Sequence, residues 1–172
     1  MQTAEIDEPL FDSAYAALAF AYRYSTQQYQ PTPMARLMRG HIGSGKGLHG
    51  IDGAAQAGMI RAMVDTLRQP DRASIVSRFA ASSKESLEAK ILLVSPAAAS
   101  LGAGIHSRRM VDSLVQRYYG KRVRLNELAE LYGLHVNTMT VRWSCIRRVL
   151  TEIEGRAMDR MDAMFLDNGL VG

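Results

Sequence analysis

The chain has 172 residues and 47% hydrophobic content, enough to bury a core of its own as one domain or two small ones. Its longest apolar runs, such as Ala14 to Ala21 and Ile91 to Val94, fall short of the ~20 residues that cross a bilayer. Acids rather than basic residues follow Met1, so no membrane contact and a cytoplasmic location are expected; the lone Cys145 excludes an intrachain disulfide and a Cys-rich zinc site.

In chain order the pattern is helical throughout. Asp12 or Ser13 can cap a first helix to about Tyr24, which carries Tyr15, Leu18, Phe20 and Tyr22. The stretch from Tyr29 to Ile51, with Pro31, Pro33 and five glycines between 40 and 50, reads as a long loop. Within it, Gly40-His41-Ile42-Gly43-Ser44-Gly45-Lys46-Gly47 approaches a P-loop, but Gly47 stands where magnesium needs a hydroxyl, and no strand leads in. Nucleotide hydrolysis is therefore set aside. Arg36, Arg39, His41, Lys46 and His49 make this a basic loop suited to nucleic acid or a protein partner.

Asp52 is expected to cap a second helix in which Ala55, Met59, Met63 and Leu67 recur every four residues, stopped by Pro70. Ile75, Val76 and Phe79 mark one side of another helix. Ser82 with Glu85 forms a capping box that opens a helix to about Val94. Pro96 to Gly104 reads as a hinge, giving an N-terminal helical bundle over 1–95, a linker over 96–105 and a third region over 106–172. Beyond it, Met110, Leu114 and Tyr118 with Val111, Val115 and Tyr119 form an apolar stripe, ended by Gly120 as a left-handed cap.

Charge is concentrated in this last region. From His106 to Leu150, nine basic residues (Arg108, Arg109, Arg117, Lys121, Arg122, Arg124, Arg142, Arg147, Arg148) face three acids, a net of +6 that exceeds the +4 of the whole chain. The tail after Leu150 carries five acids against Arg156 and Arg160, a net of −3. A basic block beside an acidic tail suits a polyanion-binding surface next to a separate contact surface.

Residues 125–150 have the spacing of a helix-turn-helix. Leu128 and Tyr132 supply the buried side of the first helix, Ala129 is small where the second helix approaches, and Gly133 suits the positive φ of the turn. Leu134 plugs the core, and Met139, Trp143, Ile146 and Leu150 line the inner side of the second helix. Each helical step rotates by about 100°, which turns Asn137, Val141, Ser144 and Arg148 outward, with Thr140 and Cys145 beside them. In the usual docking, this helix enters the major groove of double-stranded DNA. Asn137 then suits an adenine edge, Thr140 and Val141 suit thymine methyls, and Arg142 or Arg148 suits guanine or phosphate, with His135 and Thr138 at the same end of the helix. Lys121, Arg122 and Arg124 suit phosphate contacts that set register.

At these residues the sequence resembles sigma-factor region 4 and response-regulator helix-turn-helix domains. The matching run is Ala129-Glu130-Leu131-Tyr132-Gly133-Leu134-His135-Val136-Asn137-Thr138-Met139, followed by Arg142 and Arg147-Arg148. The wider stretch from Arg117-Tyr118-Tyr119-Gly120 through Ile146-Arg147-Arg148-Val149-Leu150 to Glu154-Gly155-Arg156-Ala157 is similar to the late-gene antiterminators of lambdoid phages, the Q type. Residues 19–25 and 50–60 look like the same kind of prophage protein. This resemblance implies a bacteriophage regulator of transcription that binds DNA near a late promoter, joins RNA polymerase and carries it past terminators. One branch of that family has a Cys-rich zinc motif; with Cys145 alone, this chain would belong to a zinc-free branch.

His41, His49, His106 and His135 lack metal-ligand spacing, and no nucleophile-elbow pattern occurs, so no metal, cofactor or enzymatic activity is expected. From Met139, the positions Trp143, Ile146, Leu150, Ile153, Ala157 and Met164 alternate by four and three, interrupted by Arg160. That spacing fits a long last helix that either self-associates or packs back on its own N-terminal half, with Gly155 as a candidate break. A simple DNA-binding repressor or activator, and a helical interaction module, are the alternative functions.

Overall fold

A computed structural model describes residues 9–27, 50–102 and 107–172; among them the fold is all-α, with seven helices and no strands. The Gly-rich loop at 40–49, with its candidate P-loop and basic residues, lies outside the described residues, as does His106. None of the described helices is long and apolar enough to cross a membrane.

Helix α1 (Ala14–Gln27) is capped by Ser13 rather than Asp12, the Ser13 hydroxyl accepting from the Ala16 N–H at 3.2 Å. Its Ala14, Ala17, Leu18, Ala21 and Tyr22 are buried, a helical stripe that packs on α2 (Gly50–Asp65). Two expectations for α2 are corrected. Asp52 lies inside its first turn, where a carboxylate favours the positive end of the helix dipole, and so is not the cap. The buried face is Gly53, Ala57, Ile60 and Val64, continuing to Leu67, whereas Ala55 and Met59 are exposed and Met63 is half-buried. This helix is apolar almost all round, so spacing alone does not select a face; close approach does. A Cβ on Gly53 would stand 2.8 Å from the Tyr24 ring, so only glycine lets that tyrosine lie across the helix.

Helix α3 (Gln69–Phe79) begins one residue before Pro70, which fits a first turn because its missing N–H would have no helical partner there. Helix α4 (Ser83–Ala99) opens with the Ser82 hydroxyl accepting from the Glu85 N–H at 3.5 Å. It packs between α3 and α5 (Arg108–Tyr118). The expected hinge at 96–105 is corrected over its first residues, since α4 runs through Pro96 to Ala99. Pro96 falls in the last turn, where it forfeits one backbone bond, and fully buried Ala97 holds that turn in the core.

Helix α6 (Leu125–Leu131) and the long α7 (Val136–Asp167) complete the fold. Gly155 does not break α7. The buried row on α7 is Met139, Ile146, Leu150, Ile153, Ala157, Met161 and Phe165, while Met164, expected to belong to it, is half-buried. The chain divides into two compact units, Leu67–Ala157 and a second made of Met1–Thr66 with Met158–Gly172. In the second unit, the C-terminal residues turn at Gly169 (φ +66°), and the Leu170 carbonyl accepts from the Phe11 N–H at 2.9 Å.

Candidate nucleic-acid interface

The site is assembled at the junction of α5, α6 and the first turns of α7. Helix α5 ends as its glycine requires. Gly120 adopts φ +96°, the Lys121 N–H reaches back to the Gln116 carbonyl at 3.0 Å, and the chain turns into α6. Gly133, at φ +61°, performs the same service between α6 and α7, with the Leu134 N–H donating to the Ala129 carbonyl at 2.8 Å. Leu128 and Ala129 are buried, and Leu134 and Tyr132 are half-buried, as a helix-turn-helix demands.

The first turn of α7 is capped by a side chain that the sequence pattern assigns to DNA. His135 Nδ1 accepts from the Asn137 N–H at 3.2 Å, so His135 holds one of the helix's free amide donors while its ring remains exposed. Behind this turn, Met139, Ile146 and Leu150 have no exposed surface. Trp143 is half-buried, and the Arg117 guanidinium lies 5.2 Å from its ring centre. Arg117 also donates to the Val123 carbonyl, which ties the entry to α6 to the inner side of α7.

Opposite that packed side stand Asn137, Thr138, Thr140, Val141, Ser144 and Arg148, all exposed. The hydroxyls of Thr140 and Ser144 donate to the carbonyls of Val136 and Thr140, each at 3.0 Å, leaving their oxygens as acceptors toward solvent. Val141 is 62% exposed, an unfavourable placement for an isolated apolar side chain and a suitable one for a methyl-rich partner. Arg148 projects outward, within 4.0 Å of Glu152 one turn on. Cys145 is half-buried at the edge of the face.

Arg142 does not join them. At about 140° around the helix from Asn137 it borders the inner row, and its Nη1 meets Met110 Sδ at 3.4 Å, so it packs α7 onto α5. Lys121, Arg122 and Arg124 are exposed ahead of α6, Lys121 donating to Gln116 Oε1 at 2.7 Å and Arg124 pairing with Glu127 at 3.1 Å. The structure thus brings ten of the eleven expected residues to exposed positions on the motif and its approach, and turns one inward.

Sequence reading misses a polar network in the same unit. Asp71, in the first turn of α3, has no exposed surface; Arg156 Nη2 and Nε donate to its Oδ1 at 2.6 and 3.0 Å. Just before Arg156 on α7, Glu154 accepts a fork from Arg78 at 2.7 and 2.8 Å and the Tyr118 hydroxyl at 2.8 Å. Tyr119 reaches Ser74 at 3.1 Å, and Arg78 lies 5.2 Å from its ring centre. Donating hydrogen bonds to Glu154 and Asp71 raises the pKa values of Arg78 and Arg156, and burial raises that of the Tyr119 phenol. The partners are 76 and 85 residues apart, and no local periodicity marks them.

No protein-family model matches this chain, and no curated protein matches it either.

Proposed function

We propose that the chain is a sequence-specific DNA-binding regulator of transcription that lays the first turns of α7 in the major groove. One observation carries this reading: Asn137, Val141 and Arg148 share an exposed face directly behind which Met139, Ile146 and Leu150 are fully buried. A fixed inner row makes the outer row a rigid reading surface, and its residue types match base edges and thymine methyls. Lys121, Arg122 and Arg124 stand where phosphate contacts would set the register. The resemblance of residues 117–120 and 146–157 to Q-type antiterminators narrows the role to a bacteriophage or prophage protein that acts on RNA polymerase at a late promoter.

A gel shift with DNA from upstream of its own gene tests the first step. Asn137→Ala is expected to weaken binding to the preferred site by about tenfold or more, the worth of one good base pairing. Arg148→Ala is expected to weaken it as well. No binding at low salt, or binding indifferent to both substitutions, would leave the motif as a structural element of a protein-interaction module. Terminator read-through with purified polymerase tests the second step: added read-through on a template bearing the site is expected, and its absence reduces the role to that of a repressor or activator.

A further inference from the structure

Three cationic side chains from three separate elements gather at the end of α5. Arg78 of α3 and Lys90 of α4 lie 5.2 and 5.9 Å from the centre of the Tyr119 ring, and Lys121 follows that tyrosine by two residues. Glu154 neutralises Arg78, but among the described residues Lys121 meets an uncharged amide oxygen, that of Gln116 at 2.7 Å. Folding alone gives little reason to collect like charges beside a half-buried lysine. Burial lowers the pKa of Lys90, and the charges of Arg78 and Lys121 lower it further, so its ammonium is held against the preference of its surroundings. The Tyr119 ring face offsets part of that cost. An anion would offset the rest.

We infer that Lys90, gathered with Arg78 around the Tyr119 ring and close to Lys121, adds a phosphate contact that carries the row of Lys121, Arg122 and Arg124 onto α4, outside the helix-turn-helix. The inference rests on the DNA-binding reading. Duplex DNA is the occupant because the row runs continuously along the chain through Arg122 and Arg124 at the entry to α6, where backbone contacts are expected.

The test is a salt titration of binding to a labelled random-sequence duplex of about 30 base pairs, followed by anisotropy. Removing one lysine–phosphate pair should make the slope of log K against log salt shallower by about 0.9. Lys90→Gln is therefore expected to flatten the slope by about 0.9 and to weaken binding several-fold. Lys84→Gln, an exposed lysine at the start of the same helix, removes equal charge per site and should leave the slope as it was. Thermal melting of both variants should be no lower than that of the parent, since Lys84 is exposed and the Lys90 ammonium is held at a cost. A parent-like slope in Lys90→Gln overturns the added contact while leaving the DNA-binding reading intact, as does an equal decrease with Lys84→Gln. Failure of the parent to bind any duplex, or a preference for single-stranded RNA of the same length, overturns both.

Discussion

Arginine does two different jobs in the unit Leu67–Ala157, and the contrast shows how to read a basic protein. Around α3, α5 and the middle of α7, Arg78 and Arg156 are spent on carboxylates, and Arg117 on a carbonyl and a tryptophan ring. On the approach to α6 and along the outer side of α7, Arg122, Arg124, Arg147 and Arg148 stand exposed. Net charge counts both groups alike. Only the second can meet a phosphate without dismantling the fold, so substitutions in the two regions should separate stability from DNA affinity.

The sharpest separation is expected at Arg156. Arg156→Ala removes the guanidinium hydrogen bonds to the buried Asp71 carboxylate, leaves Arg68 beside it at 3.9 Å, and should cost about 3 kcal/mol in urea unfolding. Replacing Asp71 and Arg156 together by leucine should recover most of that stability, because no buried charge is then left alone. A cost below about 0.5 kcal/mol for Arg156→Ala would mean that the pair is no better than a surface contact.

Gly133→Ala attacks the scaffold of the outward face instead. A Cβ at φ +61° costs about 1–2 kcal/mol, and DNA affinity should fall with stability because the turn sets the angle of α7. Unchanged melting would show that the turn relaxes without strain.

Tyr119→Phe removes the hydroxyl that meets Ser74 at 3.1 Å and should cost about 1 kcal/mol at neutral pH. Its pH dependence is more telling. Burial raises the phenol pKa in the folded chain, whereas in the unfolded chain it ionises near the ordinary value of about 10. Stability from this group is therefore complete below about pH 10 and is lost as pH rises beyond it. The phenylalanine variant should show a shallower alkaline decline; identical declines would remove Tyr119 as their source.

The smallest stability effects belong to the proposed reading face. Asn137→Ala and Arg148→Ala touch exposed side chains and should each shift unfolding by less than about 0.5 kcal/mol, which circular dichroism melts can check. A cost above about 1 kcal/mol at either position would mean that the face has a structural duty, and the contrast between the two regions would blur.

Much of the fold was legible because it depends on neighbours in the chain. Ser13, Ser82, Gly120 and Gly133 mark helix ends through backbone groups three to five residues away, and the Met139–Ile146–Leu150 row follows from a rotation of about 100° per residue. The same rotation predicts that Asn137, Val141 and Arg148 face away from the core, which is where they lie. It was less decisive for Arg142, whose long side chain borders two faces and settles on Met110 of α5.

What lay beyond reach was whatever depends on which distant surfaces meet. In α2 both rows are apolar, so the packing of Gly53 under Tyr24 chose the buried one. Pro96 reads as a hinge by composition, yet burial of Ala97 keeps its turn helical. The pairs Asp71–Arg156 and Arg78–Glu154 join residues 85 and 76 positions apart, and nothing periodic announces them. A chain encodes its helices through short-range geometry; the partners of its charges are decided only when those helices pack, because a buried carboxylate accepts whichever cation the packing delivers.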